Sequence, residues 1–289
     1  MFITPNDKNY SLVDSGNGMK LERFGDITLL RPEPEAIWMP GNIRLWDNAD
    51  YRYDRNNKDK WIKNKNTPES WTINYGEINL LIKPTAFKHT GLFPEQLSNW
   101  EYFKRNTKGK KGLKILNLFG YTGAFSVFAL SLGHNVTHVD SSQGVNDWLS
   151  KNVKLNNLDK KGLPTQTGLK IITDDVSLFI KRLIKRGEKF DWVIMDPPAF
   201  GHGSGKELWK IERDLPNLID NVMSILTDKP GGIILSGYSA GYSPESYKNI
   251  LLPFKKIYGG EVESGTMTIK EESTDRLLTL GIVARWSTK

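Results

Sequence analysis

Five short apolar runs, LKILNLF, NVTHVD, LKIITDD, FDWVIMD and GGIILSG, succeed one another between Leu113 and Gly237, and segments of helical patterning such as GVNDWLSKNVKLNNL and VSLFIKRLIKR follow them. Parallel neighbours cannot be joined by tight turns and need a crossover, so strand-helix alternation predicts a mostly parallel sheet with helices on both faces. The end of the chain differs. EVESGTMTIK and RLLTLGIVARW flank KEESTD, which predicts an antiparallel hairpin closing the sheet edge.

Ahead of this rhythm, Tyr10 to Pro84 reads as strands and turns. YSLVDSGNGMKLERFGDITLL alternates around SGNG and GD, and WTINYGEINLLIK breaks at Gly76-Glu77. PEQLSNWEYFKR has helical spacing, with Leu97, Trp100 and Phe103 on one face. The 289 residues exceed the common one-domain length. The expected division is a β-rich accessory module at 1–84, a connecting helix and basic linker at 85–112, and an α/β domain at 113–289.

With no cysteine, disulfides, thiolate metal sites and thiolate nucleophiles are all excluded. His89, His134, His138 and His202 lack ligand spacing, so no metal is expected. No run approaches the roughly 20 apolar residues of a membrane helix, and MFITPNDKNY has no secretory pattern, which makes a cytoplasmic location the expectation. The net charge of +7 is concentrated: Lys104, Arg105, Lys108, Lys110, Lys111 and Lys114 lie within one acid-free segment. A second basic run, Tyr51 to Lys65, interleaves Arg52, Arg55, Lys58, Lys60, Lys63 and Lys65 with Tyr51, Tyr53 and Trp61. Such segments can bind phosphate while aromatics stack on bases; two solvated loops are the alternative.

Ligands of open α/β sheets bind beyond the carboxyl ends of strands. The first run ends in NLFGYTGAFS, where Gly120 and Gly123 let a strand-to-helix turn approach a ligand; the first position of a dinucleotide GxGxxG is Leu118 instead. Asp140, about twenty residues beyond Gly120, can accept hydrogen bonds from ribose hydroxyls. At Asp174-Asp175 a carboxylate or its backbone can bind an adenine amino group, or one of the pair can cap the next helix. The fourth run ends in MDPPAFGHG. Asp196 followed by Pro197 and Pro198 makes a rigid turn with an oriented carboxylate and carbonyls free of competing proline N–H groups, suited to a flat NH2 group with Phe200 stacked on its ring.

Together, KHTGLFPEQ (Lys88 to Gln96), LNLFGYTGAFS (Leu116 to Ser126), VDSS (Val139 to Ser142) and DPPAF (Asp196 to Phe200) resemble a class I S-adenosylmethionine-dependent methyltransferase, in particular the bacterial ribosomal-RNA large-subunit group. The resemblance runs from about Lys83 to the C-terminus. It implies a Rossmann-like sheet with a C-terminal antiparallel hairpin, preceded by a small mainly β module. It implies S-adenosylmethionine as cofactor, enclosed by Thr90, Phe93 and Gln96. The turn of Asn117, Phe119, Gly120, Tyr121, Thr122 and Gly123 would face the methionine part, Asp140 with Ser141 the ribose, and Asp174 or Asp175 the adenine. Asp196, Pro197, Pro198 and Phe200 would be catalytic, with RNA as partner.

Relatives that methylate pyrimidine carbon 5 use a cysteine after the fifth strand, where this chain has Ser236-Gly237-Tyr238-Ser239. Without a thiolate, direct attack by a nitrogen is the expected route. Ala199 also separates Pro198 from Phe200, whereas amino-methylating relatives often place the aromatic immediately after the prolines. GHGSGKELWK does not satisfy a P-loop, having Phe200 and Glu207 at required glycine and hydroxyl positions. Gly201 to Lys206 reads as a lid with His202 and Lys206 touching substrate, or as a solvated loop. The rival functions are methylation of a protein or small molecule, a non-catalytic RNA-binding protein of the same fold, and a nicotinamide-dependent oxidoreductase, which leaves DPPAF unexplained.

Overall fold

A computed structural model describes the chain except for residues 55–59, 65, 87, 160–167, 203–207, 239–240 and 289 and the side chain of His202. The strands and helices run in the order β1 (Phe2–Thr4), β2 (Tyr10–Gly16), β3 (Met19–Phe24), β4 (Ile27–Pro32), β5 (Tyr51–Asp54), β6 (Lys60–Lys63), β7 (Trp71–Tyr75), β8 (Ile78–Ile82), α1 (Leu97–Asn106), β9 (Lys114–Leu118), α2 (Ala124–Ser131), β10 (Asn135–Asp140), α3 (Gln143–Leu155), β11 (Leu169–Thr173), α4 (Val176–Arg186), β12 (Trp192–Met195), β13 (Phe200–His202), β14 (Leu208–Lys210), α5 (Ile211–Ser224), β15 (Gly232–Gly237), α6 (Pro244–Tyr258), β16 (Glu261–Lys270) and β17 (Leu277–Ser287). Contacts divide them into two units, Met1–Ser98 with Met267–Leu280, and Asn99–Thr266 with Gly281–Lys289. The expected boundaries at 84 and 112 differ from this division, which also places residues 267–280 with the amino-terminal module.

In the first unit β2, β3 and β4 are antiparallel, β5 joins β4 in parallel, and β6 pairs with β5. Tight turns set the registers: Asn17 and Gly18, and likewise Gly76 and Glu77, both take positive φ, the backbone that matches strand twist in a two-residue hairpin. Beneath the sheet lies a buried charge network in which Tyr10 donates to Glu22 at 2.9 Å and Lys20 sits 3.2 Å from Glu33. Burial alone would raise the Glu22 carboxyl, but the charges of Arg31 and Lys20 outweigh it and hold the group at about 2. The aromatics of the Tyr51 to Lys65 run are spent on packing. Tyr51 and Tyr53 are buried, Trp61 meets both edge-on at 5.8 and 5.2 Å, and its indole donates to the Thr85 carbonyl. The expectation that they stack on bases is therefore corrected; Arg55, Lys58 and Lys65 lie outside the described residues.

The second unit carries the alternating half. Its strand order is β17-β15-β12-β9-β10-β11, parallel except for β17, which pairs antiparallel with β15. All four residues of β12 are buried because helices cover both faces of the strand. On one side Val193 and Met195 join a cluster with Phe179, Leu183, Leu215, Ile219 and Phe254 of α4, α5 and α6. On the other, Trp192 meets Phe103 of α1 at 5.2 Å, and Phe103 meets Phe125 of α2 at 5.1 Å. The chain steps outward from β9 to β10 and β11, then returns to β12 on the opposite side of β9. That reversal opens a crevice at the carboxyl ends of β9 and β12.

Candidate functional site

Register brings the predicted strand-end residues to one level. Leu118 pairs with both Val139 and Met195, and Met195 with Leu235, so Phe119, Asp140, Asp196 and Ser236 each stand one residue beyond their pair. Two strand spacings, roughly 10 Å, separate the β10 and β12 ends, with the Gly120 turn leaving β9 between them.

This turn is sharply bent: Phe119 and Tyr121 take φ of 55° and 50° although neither is glycine. A Cβ on Gly120 would lie 2.3 Å from the His138 ring, and one on Gly123 2.3 Å from Leu149, so both positions exclude larger residues by space. Asn117 and Thr122 are buried. The Asn117 amide donates to Ser126 at 2.9 Å, and Ser126 is bonded to His138 Nδ1, so these side chains brace the turn from within. Burial lowers His138 to about 4, leaving the ring neutral.

Asp140 accepts from the backbone N–H groups of Tyr121 at 3.0 Å and Ser142 at 2.9 Å, one to each carboxylate oxygen. Burial raises its pKa and the two N–H groups partly offset that. Both oxygens are held in place and retain lone pairs, which suits a ribose diol. Ser141 beside it is exposed. Asp175 is the N-cap of α4, accepting from the Leu178 N–H at 3.0 Å, while Asp174 accepts from the Asp175 N–H and pairs with Arg182. Of the two, Asp174 is thus the one without a helix-capping duty.

At the β12 end Ser236 donates to Asp196 Oδ1 at 3.0 Å. Pro197 is buried, and Phe200 is 74% exposed at the start of the β13–β14 hairpin. One expectation is corrected: the Pro198 carbonyl is already engaged, accepting from the Trp209 indole at 2.8 Å. Trp209 also packs on Phe119 at 5.1 Å and so links the Asp196 turn to the Gly120 turn. Sequence reasoning missed Trp209, His138 and Ser126, whose roles depend on partners brought together only by the sheet. Ser236 was read solely as the place of an absent cysteine; its hydroxyl at a strand end was the available signal. The lid reading falls largely on residues 203–207 and the His202 side chain, outside those described.

Thr90, Phe93 and Gln96 belong to the first unit. Thr90 is buried, and its carbonyl accepts from the Lys83 N–H at 3.1 Å; Phe93 meets His89 at 5.3 Å, and the Gln96 N–H donates to the Phe93 carbonyl. Among the described residues no group of three or more His, Asp or Glu side chains is arranged to hold a metal, and no helix is long and apolar enough to cross a membrane.

Comparison with known proteins agrees with this geometry. Ribosomal RNA large subunit methyltransferase K of Neisseria meningitidis is 28% identical over 238 residues, 73% of this chain and 60% of its own. Ribosomal RNA large subunit methyltransferase I of Yersinia pseudotuberculosis is 38% identical over 135 residues, 46% of this chain and 32% of its own. The chain thus spans less than two thirds of either curated relative. A crystal structure of a SAM-dependent methyltransferase from Agrobacterium tumefaciens superimposes with a TM-score of 0.91 at 35% identity, covering 99% of this chain and 93% of that one. Residues 37–237 match the family model for S-adenosylmethionine-dependent methyltransferases. With that match over most of its length and a glycine turn and ribose-type carboxylate at adjacent strand ends, the chain belongs to the S-adenosylmethionine-dependent methyltransferase family.

Proposed function

We propose that this protein methylates RNA, ribosomal RNA being favoured, at an amino-type nitrogen. The observation that carries the reading is the Asp196 carboxylate, held by Ser236 at the strand end on the far side of the Gly120 turn from Asp140. The names of the two curated relatives support an RNA substrate. A cytoplasmic setting belongs to the same reading.

The residues present fit the cofactor: Asp140 offers two fixed acceptors to a ribose, and Gly120 gives a turn without a Cβ. Asp174, which does not cap α4, is the one of its pair offered to an adenine amino group. When bound, S-adenosylmethionine supplies an electrophilic methyl group on a sulfonium. Asp196 accepts an N–H of the substrate amino group, which turns the nitrogen lone pair toward the attacked carbon and offsets the positive charge growing on nitrogen. Ser236 keeps the carboxylate in that orientation. Pro197 fixes the backbone and Phe200 offers an exposed ring to the target base. Because the leaving group is already activated, the protein contributes mainly position, worth roughly 7 to 11 kcal/mol when reacting atoms are near attack distance.

Transfer of labelled methyl to ribosomal RNA, followed by nucleoside mass spectrometry, tests this reading. An N-methylated nucleoside absent from reactions with Asp196→Ala is expected. Label appearing only in protein or small molecules would replace RNA as the substrate, and a covalent adduct with a fluorinated pyrimidine would replace the direct mechanism.

A further inference from the structure

Two asparagines of α3, Asn146 and Asn152, are buried beside Leu149 and Val153 of the same helix. Asn152 donates to the Thr122 carbonyl at 3.0 Å and so steadies the Gly120 turn. Asn146, 1% exposed in the first turn of α3, serves a different pair of strands. Its amide donates to the Asp140 carbonyl at 3.2 Å and to the Thr173 hydroxyl at 2.8 Å, and these two residues are partners in the β10–β11 ladder. Thr173 passes its own hydrogen to the Gln143 side chain at 2.9 Å, and the Asp174 N–H donates to the same Asp140 carbonyl at 3.2 Å.

An apolar side chain would fill this place at less cost. Taking an amide out of water is offset only where its hydrogen bonds are made, and the Asn146 oxygen has no partner in hydrogen-bond geometry among the described residues, although the amide acts electrostatically on the His138 ring. What the amide supplies is a fastening. β11 is the last strand of its sheet and pairs with β10 alone among the described strands, so its carboxyl end is held from one side only. Asn146 ties the two strand ends together at the point where Asp140 and Asp174 leave them. The Asn146 N–H also donates to the Ser142 carbonyl, and the Ser142 N–H to the Asp140 carboxylate, so α3 holds Asp140 by carbonyl and side chain together.

We propose that Asn146 is a positioning residue for the adenosine half of the cofactor: by holding the Asp140 carbonyl and the Thr173 hydroxyl together it fixes the spacing between the carboxylate offered to ribose and the Asp174 end offered to adenine. The inference rests on the cofactor reading of Asp140 and Asp174 above. Ribose and adenine are joined by a single bond, so the ligand has little freedom to follow a strand end that shifts. Loss of the fastening leaves both carboxylates in the chain and their spacing wrong, which a ligand spanning them registers as lost affinity.

Asn146→Leu keeps the volume and removes the amide; Thr173→Val removes one hydroxyl at an exposed position, and Thr173→Ser retains it. Calorimetry with S-adenosylhomocysteine and steady-state methylation are the readouts. Asn146→Leu should weaken S-adenosylhomocysteine binding and raise KM for S-adenosylmethionine by about three- to tenfold, the worth of a positioned hydrogen bond, with kcat and KM for RNA unchanged. Thr173→Val should show the same split at about two- to fivefold, and Thr173→Ser should match wild type, so the test holds even where Asn146→Leu does not fold. In an Asp140→Ala background Asn146→Leu should cost less affinity than in wild type, because part of what it positions is gone. Wild-type cofactor affinity in folded Asn146→Leu or in Thr173→Val, or a fall in kcat with a rise in both KM values together, would overturn the positioning role. If Asp140→Ala itself binds S-adenosylhomocysteine as wild type does, the cofactor reading fails and the inference with it; a weakened Asp140→Ala beside unchanged Asn146→Leu and Thr173→Val defeats the inference alone.

Discussion

Asp140 and Asp196 stand at the ends of the two strands that flank β9, and the duties proposed for them differ with their surroundings. Backbone N–H groups hold Asp140 on both oxygens, a fixed cradle for a neutral diol, whereas a hydroxyl donor from Ser236 meets Asp196 beside the exposed Phe200. Asp140→Ala should weaken S-adenosylhomocysteine binding at least tenfold in calorimetry, because hydrogen bonds to a charged acceptor are worth roughly 1.5 to 3 kcal/mol each. Asp196→Ala should instead leave that affinity nearly unchanged while kcat falls about 100-fold, the pattern of an interaction made in the transition state. Equal loss of cofactor binding in both variants would show that the two duties are not separate. Gly123 is constrained twice, by a φ of 77° and by Leu149 in the place of a side chain. Gly123→Ala should therefore destabilise the fold by about 1 to 3 kcal/mol in chemical denaturation.

Helix α4 gives Asp175 a capping duty, the alternative to adenine binding. Asp175 satisfies the orphan N–H of Leu178, so Asp175→Ala should cost about 1 kcal/mol of stability and leave cofactor affinity intact; a clear loss of affinity without loss of stability would return it to the adenine site. Strand β10 carries a different liability. His138 is held at about 4 by burial, against about 6.5 for an ordinary imidazole. Between those values the unfolded chain binds a proton that the folded chain refuses, so the His138 contribution to stability rises with pH from about 4 to 6.5 and is flat above that window. The shift corresponds to roughly 3 kcal/mol at its limit, with His134, also lowered by burial, adding in the same direction. Glu95, raised by burial to about 7, acts in the opposite sense, so the His138 part is read as a difference: between pH 5 and 7 the stability of wild type should rise more, or fall less, than that of His138→Gln in denaturant melts.

In the second unit the basic linker and the proposed catalytic residues occupy opposite ends of the sheet. Lys104 and Arg105 are in the last turn of α1, where positive charge complements the helix carbonyls, and Lys108, Lys110, Lys111 and Lys114 precede or open β9. Asp140 and Asp196 stand at the carboxyl ends, a five-residue strand or roughly 15 Å away. If the lysines meet RNA phosphates, they grip a part remote from the methylated nucleotide. Replacing Lys108, Lys110 and Lys111 with Gln should flatten the salt dependence of binding to long RNA and raise its KM, with kcat and the KM of a short target fragment unchanged. An equal effect on the short fragment would mean that the linker reaches the target itself.

The alternating apolar runs, the turn glycines and the strand-end carboxylates were legible from residue order because they follow from local rules: strand and helix periods, positive-φ turns, and the position of ligands in parallel sheets. Those rules place Gly120, Asp140 and Asp196 at chain positions that any such sheet brings to one end. They cannot say which acceptors are already taken. The Pro198 carbonyl belongs to Trp209, Asp175 to its own helix, Asn117 to Ser126, and the Tyr51 and Trp61 rings to each other, each through a partner distant in sequence or a cap formed only when the helix forms. Tertiary structure also placed residues 267–280 with the amino-terminal unit and left the Tyr247 hydroxyl without a hydrogen-bond partner among the described residues, because hydrogen bonding and burial depend on which surfaces meet, a property of packing that strand and helix periodicity do not encode.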